Sequence, residues 1–567
     1  MSTTSLDEFP GTRAFGAERI TFQRTTLAAL SLSLLLLLAW ICRAWLKMLS
    51  FDDAYMFYRY AVNITQGLGI SWNPDGVHTY GMTSQLWVFF ILPLTVLPLT
   101  PGHALQLASW FVGCAALATM AFTVMRRARS YWLRSAPAAF AAVALPLVAN
   151  PIFAYHLTTG MDTMVALWAN AGVVFGILEY TARPTTRKAF LVGTLSLVAI
   201  LARPDTGLCA LGSPLLAWLM LPGERRWRDL SGLAVLPAVL IGVELLLCKW
   251  YFEVPFPLGF YAKSLHSYAG FRSAENAVQY AYMAALCALP FAGALAATLT
   301  RKQISMVLIL LLPAALTVVY LLTVRQVMGF VGRYYIPLLP FIVVQAVLSV
   351  DGALVERVRV TRRVAFGIAV ALLAYIGLRP IEFEAERKYF ARVVPAPIAV
   401  PTLPVAARDS IAQGKWFPIV PAIARAVAAL PAGATVAASE VGYLASIAPH
   451  ANVIDLVGLN DTRIGIHGFS MDELLARAPD LIWLPHTDYT GLRATMLEDP
   501  RLFANYIVIT NAFNYGIAIR RDSPLRGDIE QAVRAAWATL YPSRSITDYI
   551  VSDRYVPETE SRPQPAS

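Results

Sequence analysis

For its first two thirds the chain alternates long apolar runs with short basic loops, and then its character changes. A helix needs about 20 residues to cross the hydrocarbon of a bilayer. By that measure spans are predicted at 26–45, 103–125, 136–155, 162–181, 189–203, 205–222, 230–250, 276–298, 303–324, 334–350 and 364–380. The run Ser84–Leu99 is not counted, because Pro93 and Pro98 make it a poor full span. Its exclusion also keeps four basic clusters on one face: Arg126, Arg127, Arg129 and Arg134; Arg183, Arg187 and Lys188; Arg225, Arg226 and Arg228; Arg357, Arg359, Arg362 and Arg363. Basic loops stay cytoplasmic. The pattern therefore predicts about 11 transmembrane helices, with the N-terminus inside and the C-terminus outside. A cleaved signal peptide is disfavoured by the long polar leader and by the lack of an A-x-A site before Ser50.

The outer segments are then 46–102, 156–161, the Arg203–Asp205 corner, 251–275, 325–333 and everything after Arg379. They hold most acidic residues of the membrane half, so the chemistry is expected outside. From about Glu382, short strands are predicted at 435–439, 452–456, 481–484, 506–510 and 516–520, with a helix at Met471–Ala478. An α/β domain is the simplest account. It has no G-x-G-x-x-G after a strand and no P-loop, so no nucleotide site is expected. The predicted organisation is a cytoplasmic tail (1–25), a transmembrane domain (26–380), an extracytoplasmic α/β domain (381–556) and a disordered tail (557–567).

Composition agrees with lipid as the main solvent: 57% of residues are hydrophobic and 14% charged, where soluble domains carry about 25%. The net charge of +10 raises the question of nucleic acid. The basic residues lie in loops between spans, without a basic face interleaved with aromatics, so no nucleic-acid partner is expected. The five cysteines lie in or beside apolar runs, and an odd, unclustered set points to neither a disulfide framework nor a zinc site.

The candidate chemistry begins directly after the first span, at Asp52-Asp53. Two adjacent carboxylates can cap the helix that follows. Alternatively, one can serve as a general base that takes a proton from an acceptor hydroxyl. Asp52 is taken as the base with Asp53 orienting it, and the reverse assignment stays open. Asp162 opens an outer-facing span, as an N-cap or as a second cavity carboxylate.

The series Asp52-Asp53-Ala54-Tyr55, Arg59-Tyr60, Asn63, Gly67, Gly69, Asn73-Pro74, Tyr80-Gly81-Met82-Thr83 and Leu86-Trp87 resembles the first outer loop of the polyprenyl-phosphate-dependent GT-C glycosyltransferases. The branch it resembles includes the mycobacterial terminal arabinofuranosyltransferase. Tyr251-Phe252-x-Val254-Pro255 with Tyr261-Ala262-Lys263, Gly332-Arg333-Tyr334 and Val453–Asp461 are similar to further motifs of that branch. One departure lies at Asp75–Thr83, where a carboxylate of the branch's pattern is missing and His78 stands nearby.

The resemblance implies a GT-C-like bacterial inner-membrane enzyme that moves a sugar, arabinofuranose in that branch, from a polyprenyl-phosphate donor to an extracytoplasmic glycan or protein acceptor. Inversion by single displacement is expected. The donor phosphate would be held by cations among Arg59, Arg203, Lys263 and Arg333, each of which could instead snorkel to headgroups. Tyr60, His78, Tyr80, Thr83, Glu253, Tyr261 and Tyr334 complete the expected substrate-binding set. No cofactor is required, although Asp52 and Asp53 could bind a divalent cation. The competing readings are a transporter or flippase of a lipid-linked saccharide, which would favour internal repeats and mid-membrane polar residues, and an inactive assembly protein.

Overall fold

The computed structural model describes residues 11–45, 51–220, 227–265, 274–323, 329–356, 419–487, 489–509, 512–541 and 551–552. Among these, seven helices are long and apolar enough to cross a membrane: Gln23–Trp45, Pro101–Arg127, Thr163–Ala182, Trp227–Phe252, Ala277–Thr298, Arg301–Thr323 and Ile336–Val355. They lie within or contain α1 (Gly11–Trp45), α4 (Pro101–Arg127), α7 (Thr163–Ala182), α11 (Leu236–Phe252), α13 (Ala274–Thr298), α14 (Ile304–Thr323) and α15 (Leu339–Val355). Three other predicted spans form shorter helices: α5 (Ala136–Val148), α8 (Thr186–Ala202) and α9 (Gly207–Met220). The expectation of one span at 136–155 fails at Asn150. There the side chain accepts from the Ile152 N–H at 2.9 Å and starts a new helix, α6 (Pro151–His156). The predicted span 364–380 and the boundary at 380/381 lie outside the described residues.

The uncounted run forms α3 (Gln85–Thr95), whose 11 residues extend about 16 Å at roughly 1.5 Å per residue. That is about half of a bilayer's hydrocarbon. Apolar side chains such as Leu35 of α1 and Leu246 and Trp250 of α11 are exposed, and such a continuous apolar exterior marks the lipid-facing surface. At the centre, α4, α7 and α15 pack on one another and bury most of their side chains. The chain is a polytopic α-helical membrane protein.

The C-terminal part carries a six-stranded sheet in the order β2-β1-β3-β5-β4-β6. Its strands are β1 (Thr435–Ala438), β2 (Asn452–Asp455), β3 (Leu481–Trp483), β4 (Tyr506–Ile509), β5 (Ile517–Arg520) and β6 (Val551–Ser552). β1 runs parallel to β2 and β3, and the remaining pairs are antiparallel. Val436–Ala438 and all of β3 are buried, as continuous apolar strands covered on both faces should be. α10 (Trp227–Leu230) and α12 (Leu258–Leu265) belong to the membrane half. α16 (Ile419–Ala428) and α17 (Gly442–Ile447) belong to the sheet domain, and α16 packs on α17. α17 lies against α2 (Asp52–Thr65), the helix that carries the paired aspartates.

Candidate functional site

Adjacent residues of an α-helix point about 100° apart, whereas residues three, four and seven apart share a face. Asp52 and Asp53, at the start of α2, therefore look in different directions. Asp53, Met56, Phe57 and Tyr60 line an open cavity with about 480 Å³ of empty volume. Asp52, Tyr55 and Arg59 face α17 instead.

The α17 side is a clasp. Asp52 is buried, and its carboxylate accepts from the Gly442 N–H at 2.6 Å and the Tyr443 N–H at 2.8 Å, at the first turn of α17. Seven residues later, the fully buried Arg59 donates to the carbonyls of Ala445 (2.9 Å), Ala448 (3.1 Å) and Ala451 (3.1 Å), and to Trp72 O at 2.8 Å. The anion sits at the N-terminus of α17 and the cation at its C-terminal end, which suits the helix dipole. Seven residues of α2 rise about 10 Å, close to the length of a six-residue helix. Gly442 is required at the contact, because a Cβ there would lie 2.0 Å from the Asp52 carbonyl oxygen.

The clasp continues along the first loop. Asn73 makes a two-way bond with the backbone of Val453, at 2.8 and 3.2 Å, and the Trp72 indole donates to the same carbonyl at 3.0 Å. Burial dominates the titration of both groups concerned, pushing the Asp52 carboxyl up to about 6 and the Arg59 guanidinium down to about 10. The structure therefore turns Asp52 away from the cavity, against its expected place as the base. It also spends the Arg59 donors on carbonyls, against the expected phosphate contact.

The cavity is closed by loop residues Gly81, Met82 and Thr83, by Met161 and Asp162, by Gly259 and Lys263 of α12, by Arg333, and by Leu459 from the sheet domain. Of the predicted residues it thus gathers Asp53, Tyr60, Thr83, Asp162, Lys263 and Arg333. Arg333 is buried; its Nη1 pairs with Asp53 at 3.3 Å and its Nη2 donates to the Tyr334 hydroxyl at 3.4 Å. Its Nε is buried with no hydrogen-bond partner. Lys263 forms no ion pair or hydrogen bond among the described residues.

Asp162 occupies the N-cap position of α7 but makes no capping bond, and pairs with Arg203 at 3.4 Å instead. Arg203 also pairs with Asp205 at 2.7 Å and lies over the Tyr334 ring at 4.5 Å. Arg203 and Tyr334 thus form a layer behind the cavity wall.

Other expected contacts fall elsewhere. His78 is exposed and stacks on Tyr251 at 3.9 Å. Tyr80 hydrogen-bonds Glu244 at 3.2 Å and Gln85 at 2.9 Å and stacks on Phe252. Glu253 is exposed in a left-handed turn. Tyr261 meets Phe260 edge-on at 5.5 Å. None of the four lines the cavity. Asp52 and Asp53 point apart, so the pair does not offer two carboxylates to one cation. Among the described residues no group of three His, Cys, Asp or Glu side chains is placed to hold a metal ion.

A buried relay joins the sheet domain to this cavity through Asn460, a residue of the Val453–Asp461 motif that lies outside the expected substrate-binding set. Asp455 accepts from the Val457 N–H at 3.0 Å, the Asn460 N–H at 2.9 Å and the Asn460 side-chain amide at 2.9 Å. Asn460 in turn accepts from the Tyr60 hydroxyl at 3.1 Å, which itself accepts from the Gly81 N–H at 3.1 Å. Burial pushes Asp455 up to about 7 and raises Tyr60 further above its ordinary range. Only glycine fits at 81, since a Cβ would lie 2.3 Å from both Asn460 Oδ1 and the Tyr60 hydroxyl.

The profile of a domain of unknown function (DUF8728) matches residues 410–541, which is the sheet domain. No curated protein matches the sequence. The apo structure of ArnT from Cupriavidus metallidurans is similar with a TM-score of 0.52 and 14% identity, over 89% of this chain and 98% of that one. The structure of the same protein bound to undecaprenyl phosphate gives a TM-score of 0.49 and 12% identity over the same shares. The first likeness shows that this chain shares the fold of ArnT.

Proposed function

We propose that this chain is a GT-C-type membrane glycosyltransferase that moves a sugar from a polyprenyl-phosphate donor to an extracytoplasmic glycan or protein acceptor. The observation that carries the reading is a single cavity, at one end of α7 and next to the start of α15, lined by Asp53, by Lys263 with no ion pair among the described residues, and by Arg333, which pairs with Asp53. The shared fold with ArnT supports it.

Asp53, rather than Asp52, is the general base in this account. It takes the acceptor hydroxyl proton as the acceptor oxygen bonds to the anomeric carbon. The bond from that carbon to the lipid-phosphate oxygen breaks at the same time, and its electron pair leaves on the phosphate. Lys263 acts as a point charge for the departing phosphate, while Arg333 orients Asp53 through the Nη1 ion pair. Each phosphate donor contributes on the order of 2–4 kcal/mol of transition-state stabilisation. Attack from the face opposite the leaving phosphate gives inversion.

Asp162 and Tyr60 border the sugar, and the Asp455–Asn460 relay holds Tyr60 in place. Arabinofuranose is the donor sugar suggested by the motifs of the first loop. The basic clusters support an inner-membrane orientation with the cavity and the sheet domain on the periplasmic side. The test is transfer from a tagged polyprenyl-phosphate sugar in membranes. A new glycosidic bond supports the proposal, whereas label that crosses the bilayer without bond formation supports a flippase.

A further inference from the structure

The cavity just described touches Asp162, at the start of α7, and Arg333, just before α15. A second cavity, with about 850 Å³ of empty volume, lies at the other ends of these helices, where α4, α7 and α15 finish and α14 begins. α7 has 20 residues and rises about 30 Å, the thickness of a bilayer's hydrocarbon. The second cavity therefore sits at headgroup depth in the opposite leaflet.

Its polar wall is cationic. Arg127, Arg129 and Lys302 line it, with Asp351 as the one carboxylate. That carboxylate is already engaged by the Ser130 N–H at 3.1 Å, by the Ser130 hydroxyl and by the Arg129 N–H. Behind the wall, the single Glu179 is shared by Arg126, Arg127 and Lys188 at 3.0–3.5 Å, and Arg129 pairs with Glu356 at 3.2 Å. Among these residues five cations face three carboxylates. Lys302 is exposed and pairs with no carboxylate among the described residues, and the Arg127 Nε is buried with no partner. The other wall is apolar: Leu178, Met306 and Leu348. Basic residues that only anchor helices snorkel outward around a bundle, whereas these converge on a recess between helices.

We propose that this recess binds the headgroup of an anionic phospholipid. Its phosphate would sit against Arg127 and Lys302, and its acyl chains would run along Leu178, Met306 and Leu348. Positive charge, apolar wall and depth together fit a lipid better than a soluble anion. The proposal does not depend on the transfer reaction.

The test uses the purified full chain, delipidated in neutral detergent, with cardiolipin, phosphatidylcholine or inorganic phosphate added. Native mass spectrometry and thermal unfolding are the readouts. Retention of cardiolipin with a rise in Tm, no effect of phosphatidylcholine or phosphate, and about fivefold weaker binding in Lys302→Ala would support the proposal. Lys302→Glu should weaken binding further while leaving sugar transfer unchanged. Equal stabilisation by phosphatidylcholine, protection by inorganic phosphate alone, or unchanged cardiolipin binding in Lys302→Glu would overturn it.

Discussion

Asp52→Asn separates a clasp from a catalytic base. In the wild type, two backbone N–H groups of α17 donate to the carboxylate at 2.6 and 2.8 Å. Hydrogen bonds to charged groups contribute about 1.5–3 kcal/mol each. An asparagine keeps one acceptor oxygen and turns its amide N–H₂ towards the other donor, so one bond is lost and a buried N–H is left unpaired. Docking of the sheet domain onto α2 should weaken by about 1.5–3 kcal/mol, roughly 10- to 150-fold in the docking equilibrium. Asp52→Ala removes both acceptors and should cost more. The assay is limited proteolysis between the two parts in detergent, run beside Tm and sugar transfer. Faster cleavage, a lower Tm and a transfer loss that shrinks on cooling are expected. If the asparagine variant keeps wild-type Tm and protease resistance but transfers no sugar, Asp52 is the base and the account of α2 is wrong.

Arg59→Lys keeps the charge but cannot reach three carbonyls, so its Tm should fall although the cavity is untouched; an unchanged Tm would contradict the clasp. Gly81→Ala should lose transfer, because its Cβ meets the Tyr60 and Asn460 side chains and also the Leu459 carbonyl at 2.7 Å; wild-type activity would remove the relay. Lys263→Ala should lower kcat/KM for the lipid donor by about 2–4 kcal/mol of transition-state energy without changing Tm, as measured with purified donor. Burial raises Asp455 to about 7, so the folded state holds this proton more tightly than the unfolded one. Its stabilising contribution is full below about pH 4 and is lost as pH rises through 7. Tm in detergent should fall over that window, and the slope should flatten in Asp455→Asn.

Seven long membrane helices and five strands are legible because burial imposes periodicity and length. β1 and β3 are apolar runs bounded by turns, and Met471–Arg477 starts at Ser470, whose side chain caps the helix by accepting from the Glu473 N–H. The break at Asn150-Pro151 was hidden inside an apolar run. In the site, the residue types were readable while their directions were not. Asp52 and Asp53 looked like a pair because they are neighbours in sequence, yet the turn of a helix separates them by about 100°. The spacing of Asp52 and Arg59 by seven residues was the signal that they share a face. Tyr80 and Glu253 are candidates by residue type alone, and only tertiary packing reveals that one meets Glu244 and the other the surface. Asn460 was visible as part of Val453–Asp461, but its partner Tyr60 lies 400 residues away.

The measurement that bears most directly on the proposed chemistry is single-turnover transfer from a tagged polyprenyl-phosphate sugar, comparing wild type with Asp53→Asn in membranes at matched protein levels. Removal of a general base should slow the chemical step by about 10²- to 10⁴-fold, with Tm and donor binding close to wild type. Transfer at the wild-type rate by Asp53→Asn would contradict the assignment of this cavity as the site of glycosyl transfer through Asp53.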